Sequence, residues 1–208
     1  MLDDVTMRRM TGHQHTDEAC ESTRKLTYRD FVRFPDDGRR HELIDGVHYV
    51  TACPDFGHQL VLQRLNVALA NHLKETRSGL VFFNFDCVFS FFDIVNPDLV
   101  VVLKDRFEIF THRNIKGTPS ILVEVLSPST AKRDRTIKRT LYERHGLLEY
   151  WIIDETRKTI SIERLGKRGF RKAEILRLEE DHILTCDLLP GFEMPLSELF
   201  NDDLMPRE

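Results

Sequence analysis

Apolar positions recur along the chain in two different periods, and the changes of period mark out the elements. Val61, Leu65, Ala68, Leu69 and Leu73 fall at helical spacing, with His58, Arg64, Asn71 and Lys74 left to a polar side. This predicts a helix over residues 56–76, ended by Ser78-Gly79. Two runs break the pattern of one wet and one dry face, Leu99 to Leu103 and Ser120 to Leu126, which are apolar at successive positions. Strands of that kind are covered on both sides. Arg40 to Ile44 and Val47 to Thr51 flank Asp45-Gly46, a strong hairpin signal. Further strands are predicted at Leu80 to Phe92, Glu149 to Ile153, Thr159 to Leu165 and Phe170 to Leu176. Thr27 caps a short helix from Tyr28 to Phe34, with Asp30 completing the capping box, and Pro35-Asp36-Asp37-Gly38 ends it. A second long helix runs over about 131–145 and stops at Gly146, with Ile137 and Leu141 marking its face toward the sheet. Helices interleaved with apolar strands give an α/β or α+β layered fold around a mixed sheet.

The chain of 208 residues suits one domain, placed at residues 26–200. Residues 1–25 lack either period and are expected to be a flexible extension. The segment from Met194 onward is expected to be loosely held, with 201–208 as an acidic tail. The net charge of -4 excludes nucleic-acid binding by bulk charge, although a local basic face remains open. No apolar run is long enough for a membrane span, and no secretion signal is visible. The four cysteines at 20, 53, 87 and 186 form no CxxC pair, so they read as reduced packing residues of a cytoplasmic protein.

The informative chemistry is acid inside apolar strands. Glu124 interrupts Ile-Leu-Val-Glu-Val-Leu, and Asp98 stands at the entrance of Leu99 to Leu103. A buried carboxylate is costly unless it is paired or bound to a metal. If the two strands are adjacent, the acids share a hard cation such as Mg2+ or Mn2+; otherwise they are a salt-bridge partner and a turn residue. Glu42 is a candidate third carboxylate or a solvated strand acid. In the segment Ala131 to His145, six Lys or Arg stand against two acids. Asp134, Lys138 and Tyr142 share one face of that helix, and Lys138 lies about 12 Å along the axis from Thr130, within reach of the carboxylates if the helix folds back.

Taken in order, His41-Glu-Leu-Ile-Asp-Gly46, a helix opening near His58, Asn96-Pro-Asp-Leu-Val-Val-Val102, Val123-Glu-Val-Leu-Ser-Pro-Ser-Thr130, the Asp134-x3-Lys138-x3-Tyr142 helix and Leu147-Leu-Glu-Tyr-Trp-Ile-Ile-Asp154 resemble the Uma2 family, also described as domain of unknown function 820. The resemblance spans about residues 26–195. It implies a restriction-endonuclease-like fold of the PD-(D/E)xK superfamily, with Asp98 and Glu124 as metal ligands and Glu42 as the acid preceding them. Leu126 occupies the position of the motif lysine, and Lys138 matches a lysine supplied from the following helix. His58, Asp134 and Tyr142 are expected to line the site, and Lys132, Arg133, Arg135 and Arg139 to lie along a nucleic-acid backbone. The activity so implied is Mg2+- or Mn2+-dependent hydrolysis of phosphodiester bonds, most simply of DNA, by a homodimer if both strands are cut. The alternatives are a catalytically inactive module of the same fold that binds nucleic acid or protein, and a hydrolase of small phosphoesters.

Overall fold

The computed structural model describes residues 24–51, 54–201 and 203. Most of the expected N-terminal extension and acidic tail lies outside them, as do Cys20 and Cys53. Cys87 and Cys186 are buried free thiols. In chain order the elements are α1 (Tyr28–Phe31), β1 (Arg40–Ile44), β2 (Val47–Thr51), α2 (Phe56–Thr76), β3 (Gly79–Phe83), β4 (Cys87–Val88), β5 (Ile94–Val95), β6 (Leu99–Leu103), β7 (Ile115–Lys116) and β8 (Ile121–Val125). Then come α3 (Ala131–Arg133), a π-helical turn Asp134–Lys138 and α4 (Arg139–Arg144), which form one continuous helical run. The chain ends with β9 (Glu149–Asp154), β10 (Thr159–Gly166), β11 (Gly169–Phe170), β12 (Glu174–Arg177), β13 (Ile183–Thr185), β14 (Glu193–Pro195) and α5 (Leu196–Leu199).

The large sheet has the order β11-β10-β9-β8-β6-β3, with β12 also on β10. β8 and β9 run parallel and the remaining pairs of this sheet antiparallel. This is the mixed, helix-flanked α+β fold expected. Both faces are covered, as the unbroken apolar runs predict. One face packs Leu99, Val101, Val123 and Trp151 against Val61, Leu65, Leu69 and Leu73 of α2. The other packs Val100, Val102, Leu122 and Tyr150 against Leu141 and Tyr142. A smaller sheet, β2-β1-β5-β4-β7, adjoins this second face. Its hairpin turns through Asp45 and Gly46, both at positive φ.

Several expectations are corrected. α2 is capped by left-handed Arg77, not by Ser78-Gly79. Gly79 belongs to β3, where an added Cβ would stand 2.6 Å from the Val102 carbonyl. The run Leu80 to Phe92 is broken into β3 and β4, with Asn84 at φ 43 in the turn between them. Phe82, Phe85 and Phe89 are partly buried, while Leu80, Phe83, Phe91 and Phe92 stay exposed. The predicted strand Phe170 to Leu176 is likewise divided between β11 and β12, both of which pair with β10. The segment from Met194 is not loose: Met194, Leu196, Leu199 and Phe200 are buried against α2 and the large sheet. Its acids face outward at Glu193 and Glu198, which hid the apolar anchors in a net-charge reading.

Candidate active site

β6 pairs β8 in the register Leu99↔Val123 and Val100↔Leu122. Extending that ladder by one residue sets Asp98 directly opposite Glu124, on the face shared with Val100 and Leu122. Pleat alternation thus puts both acids on one side of the sheet. Asp98 Oδ2 accepts the backbone N–H of Val125 at 2.8 Å, tying the two strands together at this point. Glu42 comes from β1 of the smaller sheet, and its Oε1 accepts the N–H of Asn96 at 3.0 Å.

The helical run supplies the opposing charge. Lys138 Nζ lies 2.9 Å from Glu124 Oε1, 2.8 Å from Glu42 Oε1 and 3.7 Å from Asp134 Oδ1. Tyr142 donates its hydroxyl to Glu124 Oε1 at 3.0 Å. Asp134, Lys138 and Tyr142 therefore share the inward face, as their spacing predicts. Ile137 does not mark that face: it is 39% exposed, while Leu141 is buried. The π-turn over Asp134–Lys138 holds an extra residue, which shifts the phase of the helix and sends Ile137 outward.

Asp98, Glu124, Glu42, Asp134 and Lys138 line a cavity of about 230 Å3, together with His58, Arg40, Asn96, Arg133 and the Ser127–Thr130 loop; Tyr142, expected to line it, stands behind Glu124 and is not part of its wall. His58, at the start of α2, places Nε2 3.1 Å from Asp98 Oδ2. Arg40 Nη1 reaches Asp98 Oδ1 from the other side. Arg40 escaped the sequence reading, although its signal was available: it sits two residues from Glu42 on one strand, hence on the same face. Arg133, expected along a nucleic-acid backbone, instead bonds Thr51 Oγ1 at 2.6 Å and reaches Glu42 Oε2 at 3.8 Å. Arg135 pairs with Asp154 at 3.1 Å, and Arg139 pairs with Glu163 at 2.7 Å. Lys132 is exposed. The basic helix is thus largely neutralised by acids of the fold.

The electrostatics divide the acids. Burial raises the pKa of Asp98, but the His58 hydrogen bond and the charges of His58 and Arg40 outweigh it and hold the carboxyl down to about 2. Glu124 goes the other way. Burial is the main cause; Lys138 pulls down, yet Asp134, Asp98 and Glu42 push up, and the carboxyl rises to about 8. Asp134 is raised by burial as well. The Lys138 ammonium loses hydration by burial, but Glu124, Glu42 and Asp134 more than compensate and raise its pKa, so it stays charged.

Among the described residues no three His, Cys, Asp or Glu side chains converge tightly enough to cage a metal ion. The acidic donors facing the cavity are nevertheless all oxygens, and Glu42 Oε2 and Asp134 Oδ1 are buried without a hydrogen-bond partner. Orphaned carboxylate oxygens fit a hard divalent ion, which takes one or two carboxylates and leaves other positions to water and phosphate; His58 Nδ1, also buried without a partner, adds a nitrogen to the cavity.

A family model for Uma2, described as "Putative restriction endonuclease", matches residues 28–197. Among solved structures, a "putative nuclease belonging to DUF820" from Anabaena variabilis superposes with a TM-score of 0.72 at 20% identity, over 84% of this chain and 97% of that one. That likeness establishes the fold. The type IIG restriction endonuclease BpuSI overlaps 73% of this chain and 16% of its own, at 16% identity and a TM-score of 0.39, too low to carry an argument. No curated protein matches.

Proposed function

Since the chain belongs to the Uma2 family, we propose that the acidic cavity is the active site of a metal-dependent endonuclease hydrolysing phosphodiester bonds, most simply those of DNA. What supports this reading above all is Asp98 facing Glu124 across β6 and β8 with Lys138 Nζ 2.9 Å from Glu124. In this reading Asp98 and Glu124 hold Mg2+ or Mn2+. Such an ion, when bound, lowers the pKa of a coordinated water and screens charge developing on phosphorus. Lys138 is the catalytic lysine, kept as an ammonium by Glu42 and Glu124 and set beside the reacting phosphate. Glu42 and Tyr142 fix Lys138 and Glu124 relative to one another. His58 holds Asp98 in place through Oδ2.

The test is cleavage of single- and double-stranded DNA and RNA by the full chain in Mg2+ or Mn2+. Asp98→Ala and Glu124→Gln should each remove the activity while near-UV circular dichroism stays native. Inertness of the wild type on every substrate, or persistence of cleavage in both variants, overturns the proposal. One observation favours a second reading, a catalytically inactive module of this fold: Arg40 already neutralises Asp98. Isothermal titration with Mn2+ separates the two, because the enzyme requires binding that Asp98→Ala abolishes. Cleavage of both strands of a duplex would call on a second site, most simply through a homodimer. Among the described residues no helix is long and apolar enough to cross a membrane.

A further inference from the structure

Beside the acidic cavity lies a second, more open concavity of about 380 Å3. The two share Arg40 and Asn96 as a common wall. Part of the lining of the second concavity is aromatic: the rings of Phe31 and Phe34 stand 5.6 Å apart at 67°, edge to face, and Phe34 stacks on His48 at 4.1 Å. The lining also carries short polar groups, Asn84, Asp86 and Asn96, with Asp36, Arg39 and His41 beside them. Asn96 donates Nδ2–H to Asp86 Oδ1 at 2.8 Å, and its own Oδ1 is buried without a partner. Asn84 is held at φ 43, a left-handed conformation that asparagine tolerates better than most residues, and its Oδ1 accepts from Arg40 at 3.2 Å. Backbone departures of this kind gather at ligand clamps.

An aromatic corner, one ring edge-on to the other, beside amide and carboxylate groups suits a planar heterocycle with hydrogen-bonding edges. An apolar peptide would leave the three polar groups unmatched. The shared wall adds a covalent constraint: the fitting ligand continues from the acidic cavity, as a base continues from its own phosphate. We propose that this concavity is a nucleobase subsite, and that the substrate presents an unstacked base beside the cut phosphate, in a single strand or a flipped nucleotide. A base stacked inside a duplex cannot reach the Phe31 and Phe34 rings without first leaving the helix. The proposal rests on the nuclease reading of the adjoining cavity for its choice of ligand.

The experiment uses the full-length Glu124→Gln protein in Ca2+, so that binding is read without turnover. Three probes of equal length are titrated by fluorescence anisotropy: a mixed-sequence single strand, a single strand of abasic spacer, and a duplex. Stacking and edge contacts predict that the natural single strand binds about tenfold or more tightly than the abasic strand. The double variant Phe31→Ala, Asp86→Asn should erase that difference while leaving abasic binding unchanged. If Phe31→Ala does not fold, Asp86→Asn with Asn84→Ala, both on the open wall, should reduce the difference at least threefold. Equal affinity for natural and abasic strands, no binding of either, or a preference that survives these substitutions overturns the subsite. Cleavage by the wild type separates the two claims. Base-dependent binding with no cleavage of any substrate removes the nuclease reading and keeps the subsite; cleavage without base dependence removes the subsite alone.

Discussion

Replacing Glu124 by glutamine should abolish cleavage and yet stabilise the fold at alkaline pH. The carboxyl is held at about 8 in the native chain, against an ordinary 4.5. Between those two values the native state retains a proton that the unfolded chain has released, so wild-type stability falls as pH rises through the window. Below 4.5 the penalty is absent; above 8 it is complete. At about 1.4 kcal/mol for each pH unit, the ceiling is roughly 5 kcal/mol. Glutamine stands in for the protonated carboxyl, and the pull of Lys138 is already contained in the raised value. The gain at pH 8 is about 4 kcal/mol, or roughly 8–16 °C in Tm for a chain of this size. Asp98 does not obscure the effect. Its carboxyl is lowered from 3.8 to about 2, so its contribution is complete above 3.8 and lost only as pH falls through the lower value. The assay is urea denaturation of wild type and Glu124→Gln at pH 5, 6.5 and 8. Wild type should lose stability across the series, and the variant should hold nearly level. A variant less stable than wild type at pH 8, or one with the same pH slope, would show that Glu124 is ionised and stably paired in the resting protein, and the reasoning would fail.

Four further outcomes are expected. On the proposed metal-binding role Glu124 sheds its proton first, so Mn2+ affinity measured by calorimetry should weaken about tenfold per pH unit below 8, and a flat profile between pH 6.5 and 8 would refute this. Arg40→Gln frees Asp98 Oδ1 from its guanidinium and should tighten Mn2+ binding about tenfold, close to 1.4 kcal/mol; unchanged or weaker binding contradicts the assigned competition. Lys138→Met leaves Glu42, Glu124 and Asp134 without their cation and should lower the unfolding free energy by about 3–5 kcal/mol above pH 8, where Glu124 is ionised, read by urea titration beside the loss of turnover. Leu199→Ala should cost about 2–5 kcal/mol in the same titration, since that side chain is fully enclosed; a near-neutral effect would mean that α5 is not anchored in the core.

The parts of the fold that could be read from the chain are those where one signal dominates. α2 was legible because five apolar residues repeat at one period over its whole length, and β6 and β8 because a run apolar on both faces has few other uses. The pairing of Asp98 with Glu124 was conditional in the sequence, since adjacency of two strands is not a local property. What stayed hidden was set by tertiary context. No periodicity rule anticipates a π-turn, so Ile137 was read as inward when the extra residue turns it to solvent. The basic helix read as a cationic face because the acids that neutralise it, Asp154 and Glu163, arrive from other strands. Arg40 read as an ordinary strand residue because its partner, Asp98, is 58 positions away.

The departure at Leu126 finds its physical counterpart in that same π-turn. A lysine two residues after Glu124 would project from the strand on the same face, where Leu126 instead packs among apolar neighbours. The ammonium taken from the helix sits at a position only 3% exposed, where the cost of burying its charge has to be offset by carboxylates. The cluster meets that demand with three acids from three places: Glu124 from β8, Glu42 from β1 and Asp134 from the π-turn that also carries Lys138. Across the π-turn Asp134 and Lys138 both face inward, and Tyr142, one turn further on, reaches Glu124. Glu42, Asp134 and Tyr142 are on this argument the conditions for a buried lysine at 138, and a chain with lysine restored at 126 would be free to lose them. The same surplus of acid that keeps Lys138 charged raises Glu124, so the position of the lysine and the proton on Glu124 follow from one arrangement of charge.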